Sequence, residues 1–237
     1  MHAIAELVPS AYHAPVSHRP YKHALFAQFA RIGTALSSDR RLELLDLLAQ
    51  GPRHVEALAA EAGMPVANAS QHLQVLRQAR LVEADREGTR VRYRLAGDSV
   101  LRLWLALQDV AGDRIAEVGD LTRRYAAGRA LSEQLPRDEL AELVRRGEVV
   151  VVDVRPPLEY AAGHLPGALS IPVDQLDERL ADLPKDRRIV AYCRGEYCLF
   201  ADEAVARLRK LGYDAVRLDG GWLEWRAEHG AEHAATS

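Results

Sequence analysis

The chain has 237 residues, 48% hydrophobic and 27% charged, with a formal net charge of −3. That length suits one large or two small globular domains. Two cysteines are too few for a structural disulfide framework, and no apolar run approaches the roughly 18 residues of a membrane span. The N-terminus, MHAIAELVPSAYHAP, lacks a basic start followed by an apolar core, so no secretory signal is expected and a reducing cytoplasm is the expected location.

Charge divides the chain. Residues 1–128 hold 16 Lys+Arg and 14 Asp+Glu, a net of +2, and the remainder holds 15 and 20, a net of −5. After a tail over 1–20, a helical unit is expected over 21–127. Leu25, Phe29, Ile32 and Leu36 recur at three-and-four spacing. The next segment, SSDRRLELLDLLAQGP, has candidate caps at Ser38 and Asp39 and stops at Gly51-Pro52. Two short helical stretches flank Gly63, a helix-turn-helix arrangement. Then the period becomes two: Val91, Tyr93 and Leu95 alternate with Arg90, Arg92 and Arg94 after a turn at Glu87-Gly88. A basic hairpin after a helix-turn-helix is a winged helix. The stretch 98–127 reads as one long helix with Trp104, Ala111, Val118 and Tyr125 seven apart. Its apolar stripe needs a partner, either its own domain or, as favoured here, a second copy.

A small-residue linker is placed at 128–134, then an α/β unit at 135–229 and a soft tail at 230–237. EVVVVDV, RRIVAYC and YDAVRL are continuous apolar strands, as in a parallel sheet covered on both faces. Helical stretches near 137–146, 157–162, 175–183, 199–212 and 221–228 alternate with them, which predicts a mostly parallel sheet with helices on both sides.

Both cysteines fall in AYCRGEYCLFA, at the carboxyl end of the second strand. That edge is where open α/β sheets bind ligands. Turning N–H groups and a helix start can hold an anion or a thiolate there and lower a thiol pKa. Cys193 is therefore a candidate nucleophile, with Arg194 adding positive charge. The competing reading is a small buried apolar residue. Zinc is not expected, because C-x4-C without further thiols or a His pair lacks a four-ligand set.

The C-terminal unit resembles a rhodanese domain of the single-domain sulfurtransferase type, on VVDVRPPLEYAAGHLPGALSIP (151–172), IVAYCRGEYC (189–198) and LDGGWLEW (218–225). The resemblance implies that Cys193 accepts sulfur. The loop Arg194, Gly195, Glu196, Tyr197 and Cys198 would cradle a persulfide, and Arg194 would attract thiosulfate or a related small sulfur anion. Asp153, Arg155 and Glu159 are expected as framework, with Arg155 and Glu159 four apart. His164 is expected to bond locally within the GHLPGA turn, a catalytic role being the lesser alternative. Related cysteine phosphatases end a longer loop in arginine, where this chain has Leu199, which argues against that activity. Cys198 is either a resolving thiol or an inert cap.

Residues 21–125 resemble the ArsR family of winged-helix repressors, on ALAAEAGMPVANASQHLQVLRQARLV (57–82) and REGTRVRYRLAG (86–97). That resemblance implies a homodimer held by the first and last helices and a helix from about Val66 entering the major groove of double-stranded operator DNA. Asn68, Ser70, Gln71 and Gln74 are the base-facing candidates. His72 is assigned to a phosphate or structural role, and Arg77, Arg90, Arg92 and Arg94 to phosphates. The thiol and histidine metal sites of the family's sensors are absent: no cysteine precedes 193, and no histidine lies between His72 and His164. No cofactor is expected.

The joined halves predict a sulfur-responsive transcriptional regulator. The alternatives are a sulfurtransferase beside an independent DNA-binding domain, and a Cys193–Cys198 disulfide switch without sulfur transfer.

Overall fold

The computed structural model describes residues 18–125 and 133–230. Most of the expected linker and tails therefore lies outside the described residues. The N-terminal half runs α1 (Arg19–Leu36), α2 (Asp39–Ala49), β1 (Arg53–His54), α3 (Val55–Glu61), α4 (Val66–Gln78), β2 (Val82–Glu87), β3 (Arg90–Leu95), α5 (Asp98–Arg114) and α6 (Ala116–Tyr125). The C-terminal half runs β4 (Gln134–Leu135), α7 (Arg137–Arg145), β5 (Val149–Asp153), α8 (Pro157–Ala162), β6 (Leu169–Ser170), β7 (Arg188–Tyr192), α9 (Phe200–Lys210), β8 (Ala215–Leu218) and α10 (Trp222–His229).

The first half is a winged helix-turn-helix. Ala69, Leu73 and Leu76 of α4 are fully buried, at the spacing that makes one helical face. β2 and β3 form the antiparallel wing, with Glu83 opposite Arg94, Asp85 opposite Arg92 and Glu87 opposite Arg90. β1 adds a third strand beside β3. The second half is a five-stranded parallel sheet in the order β4-β8-β7-β5-β6. α9 packs on one face of it, over Val152, Ile189, Ala191 and Ala215.

Two elements differ from expectation. The long helix over 98–127 is broken at Ile115, whose φ of −112° and ψ of 97° are extended; Gly112 and the β-branched Ile115 are poor helix formers at that point. The segment 175–183 forms two short 3-10 turns instead of a helix. Leu176 and Leu183 pin it to the core between Pro172 and Pro184.

The halves are docked. One buried cluster joins Leu44, Leu48 and Leu101 of the first half to Leu218, Trp222 and Leu223 of the second. Each fully buried leucine contributes about 1.5–3 kcal/mol, so this cluster is a substantial interface. Polar bonds cross it too: Arg155 donates to Gln50 Oε1 at 3.2 Å, and Arg226 donates to Asp98 at 2.9 Å. Gly51, at φ +152°, lies so close to α8 that a Cβ there would fall 2.5 Å from Ala162 Cβ. No helix among the described residues is long and apolar enough to cross a membrane.

Candidate functional site

β7 ends at Tyr192, and the loop from Cys193 to Leu199 leads into α9. The loop is held from below by α10: Trp222 N–H donates to the Cys193 carbonyl at 2.9 Å, and Leu223 N–H donates to that of Arg194 at 3.0 Å. Gly221 allows this approach, since a Cβ on it would sit 2.4 Å from the Cys193 carbonyl oxygen. Glu224 accepts from Glu196 N–H at 3.1 Å and fills the space over Gly195. Burial raises the Glu224 carboxyl pKa. Arg217, buried in β8, donates to Asp202 at 2.7 Å and to the Glu196 carbonyl at 2.6 Å.

The two thiols sit in unequal settings. Cys193 is fully buried, and its Sγ donates to the Cys198 carbonyl at 3.2 Å. Burial pushes its pKa well up, the hydrogen bond it gives to Cys198 adds to this, and Arg217 opposes it. Cys198 is half-buried. Its pKa is lowered by the hydrogen bond from Cys193, with further bonds from the N–H groups of Phe200 and Arg194, against the opposing effect of burial. The charge of Arg217 and the backbone N–H of Ala201 favour the Cys193 thiolate against its burial.

The Arg194 guanidinium is paired with Glu159 at 2.5 Å and lies 5.8 Å over the Phe200 ring. Burial opposes its charge, but the Glu159 carboxylate more than offsets this and raises its pKa. Glu159, fully buried, also accepts from Arg53 of β1 at 2.8 Å. Glu61 of α3 pairs with Arg53 and reaches Arg194 at 3.6 Å. The expected Arg155–Glu159 pair does not form, because α8 begins only at Pro157 and the two are not on one helix. Arg155 instead grips Asp153 at 2.6 Å and the Gly163 carbonyl at 2.8 Å. Tyr192 donates to the same Asp153 at 2.5 Å. His164 bonds the Tyr160 carbonyl of α8 at 3.0 Å and stacks on that ring at 3.6 Å.

Outside the loop, a cavity of about 510 Å³ opens between the halves. Asp46, Trp104 and Gln108 of the N-terminal half wall one side; Cys198, Phe200 and Leu223 wall the other. Trp104 Nε1 donates to Asp46 at 3.1 Å. Burial raises the Asp46 pKa, and Arg194 opposes the rise. Sequence reasoning missed Arg53, Glu61, Asp46, Trp104, Arg217 and Glu224. Arg217 carried a signal, as a charge inside an apolar strand, and Glu224 lay within LDGGWLEW; Arg53, Glu61, Asp46 and Trp104 reach the loop through docking that no local pattern encodes.

On the N-terminal half, the side chains of Asn68, Gln71 and Gln74 lie exposed on α4 with no hydrogen-bond partner among the described residues, and Arg77 is exposed beyond them. Ser70 and His72 are half-buried at the edge of that face. Two of the wing arginines carry acidic partners in the free protein. Arg94 pairs with Glu83 and with Asp85 at 3.4 Å, and Arg92 pairs with Glu87 at 3.2 Å. The acidic positions of β2 face them across the hairpin. Arg90 has no ion pair among the described residues.

Comparison with known proteins agrees with both halves. The chain matches the bacterial regulatory protein, arsR family, over residues 38–84 and the rhodanese-like domain over 136–228. The HTH-type transcriptional regulator Rv0324 of Mycobacterium tuberculosis is 52% identical over 210 residues, covering 86% of this chain and 90% of that protein. A sulfurtransferase of Allochromatium vinosum is 40% identical over 84 residues, 35% of this chain and 76% of its own. The solution structure of a homodimeric winged helix-turn-helix DNA-binding domain from Mycobacterium bovis is 52% identical, covering 43% of this chain and 93% of that one, with a TM-score of 0.40.

Proposed function

Since the chain belongs to the ArsR family of winged-helix transcriptional regulators, in a form that carries a rhodanese-like domain, we propose that it is a homodimeric repressor whose loop 193–198 accepts sulfane sulfur and thereby changes its affinity for operator DNA. One observation carries this reading: the loop is tied to the DNA-reading half through Glu159, which binds Arg194 of the loop and Arg53 of β1 together. β1 pairs with wing strand β3. A group added to the loop that displaces Arg194 therefore acts on a network that ends at the wing, which is the differential contact a switch requires.

The reader is α4, with Asn68, Gln71 and Gln74 toward the bases, Ser70 and His72 at the edge, and Arg77 and Arg90 toward phosphates. The dimer is supported by apolar side chains left exposed on the first and last helices of that half: Phe26 at 63%, Phe29 at 57% and Leu121 at 45%. A second copy covers them.

The test is operator affinity at one fixed salt concentration, reduced against sulfur-treated protein. A change of about 5- to 150-fold, lost in Cys193→Ser, is expected from a coupling of ordinary size. Equal affinity in both states rejects the reading. A disulfide switch is the second reading, supported by two free thiols in one loop, with Cys193 Sγ 3.2 Å from the Cys198 carbonyl. In that case Cys198→Ser abolishes the response to an oxidant, and no sulfur is carried. An enzyme acting independently of its DNA-binding half is disfavoured by the shared core.

A further inference from the structure

The loop is closely filled around Cys193. That side chain has no exposed surface, and its Sγ lies 3.2 Å from the Cys198 carbonyl oxygen and 3.9 Å from that of Gly195. A sulfur bonded to Sγ sits about 2.05 Å from it, in space the loop now occupies. The parts of the loop are not equally free to yield. Residues 193–196 are tied down: α10 holds the Cys193 and Arg194 carbonyls, Glu224 holds Glu196 N–H, and Arg217 holds the carbonyls of Gly195 and Glu196. Tyr197 makes no hydrogen bond among the described residues. Its side chain crosses instead to the DNA-reading half. There its hydroxyl rests on Gly112 of α5, so closely that a Cβ on Gly112 would collide with it. Gly112 lies three residues before the break at Ile115. Tyr197 shares a cavity of about 580 Å³ with Gly112 and Asp113 of α5 and with Val118 and Thr122 of α6. The tyrosine is thus seated at the elbow between these helices, and α6 carries the exposed Leu121 and Tyr125.

We propose that Tyr197 is a positioning residue for the α5–α6 elbow, and that a sulfur atom added to Cys193 lifts it off Gly112 and resets the angle between the two helices. The inference rests on the sulfur-accepting function proposed above. It adds a route from the loop to the dimer helices, separate from the Glu159 network that leads to the wing. With thiosulfate as donor, the Cys193 thiolate attacks the outer sulfur and forms an S–S bond. The donor's own S–S bond breaks, its electron pair leaves with sulfite, and Cys193 is left as a deprotonated persulfide. The added atom presses on the Cys198 carbonyl, and Tyr197, the neighbour without a tie, moves with it. A glycine inside a helix weakens that helix; here it gives the hydroxyl its seat. In a two-fold reader the elbow angle sets how far apart the two copies of α4 stand, while the operator fixes the half-site spacing. A change of angle is therefore read as a change of affinity.

The test uses the full-length, reduced protein, with operator affinity read at one fixed salt concentration. Gly112→Ala puts a methyl group where the hydroxyl rests, and the colliding atom is the far end of a side chain that can swing aside. Alanine is the better helix former, so α5 itself is kept. Without any sulfur donor, this variant is expected to move operator affinity in the direction of thiosulfate-loaded wild type, by a large part of the wild-type change of about 5- to 150-fold. Adding Tyr197→Phe to Gly112→Ala removes the colliding oxygen and should return affinity to within about twofold of unloaded wild type. An effect of alanine on the helix alone gives no such rescue. Unshifted affinity in Gly112→Ala overturns the proposal, as does a shift that survives in the double variant or runs opposite to the effect of sulfur. In each of these results the response of wild-type protein to sulfur still stands. If wild-type affinity does not change on loading, confirmed as the gain of one sulfur atom in intact mass, the function beneath the proposal fails and the proposal with it.

Discussion

Arg53, Glu159 and Arg194 meet beneath the cysteine loop with side-chain exposures of 2%, 0% and 21%, whereas Arg92, Arg94 and their acidic partners on the wing are each close to half exposed or more. In sequence both are arginines facing carboxylates. In the fold they obey different electrostatics. Buried ions that lose a partner are left in a medium that cannot solvate them, while exposed pairs exchange water for each other at little net gain. The wing can release its arginines to phosphate; the network under the loop cannot lose a member without reorganising the interface. The comparison therefore separates an exposed set of exchangeable ion pairs from a buried one that joins the halves.

The sharpest way to break that comparison is Glu159→Gln. It leaves Arg53 and Arg194 without their shared carboxylate and should cost about 3–5 kcal/mol of stability, read from urea unfolding of full-length protein. A loss below about 1 kcal/mol would place the network with the surface pairs and remove its claim to couple the halves. Gly221→Ala comes next. Its Cβ would meet the Cys193 carbonyl oxygen at 2.4 Å and Gly195 N at 2.8 Å, backbone atoms that cannot rotate aside. A cost of about 1–3 kcal/mol is expected, together with slowed sulfur loading because the loop must shift. Unchanged loading by mass would mean that the loop has slack at α10.

What could be read from the sequence follows the range of the interactions. The period-3.6 stripe of α4 and the period-2 alternation of β3 are local, and both elements stand where those patterns put them. The apolar runs of β5, β7 and β8 are local too, and so was the position of both cysteines after β7. The charge state of the loop was not local. Arg194 looked like a free cation because its partners Glu159 and Glu61 lie 35 and 133 positions away in the chain. Likewise Cys193 and Cys198 differ because one faces the cavity that docking creates and the other does not. The wing was half legible: alternation showed the arginine face, but Glu83, Asp85 and Glu87 alternate in β2 by the same rule and went unmatched to it.

Asp46 tests the interface from the other half. Its folded-state pKa is raised from 3.8 by burial. A raised carboxyl stabilises the fold fully below its unfolded pKa, and this contribution is lost as pH rises through the folded value. Asp46→Asn, which keeps an acceptor for Trp104, should therefore be more stable than wild type at neutral pH. The advantage should shrink as pH falls toward the ordinary aspartate range. Thermal unfolding across that range checks it; an advantage that does not vary with pH would mean that titration of Asp46 is not its source.

The smallest expected effect lies on the wing and concerns binding more than folding. Arg92→Ala removes an exposed pair with Glu87, so its stability should stay within about 1 kcal/mol of wild type. Arg90→Ala removes a cation with no ion pair among the described residues, and should weaken binding to all DNA sequences alike while reducing the slope of log affinity against log salt by about 1. Arg92→Ala should reduce that slope less, because Glu87 already neutralises part of its charge. Equal slope changes for the two variants would show that the wing's acidic strand gives up its partners completely when DNA arrives. The ion pairs of the free wing would then be a resting arrangement with no influence on affinity.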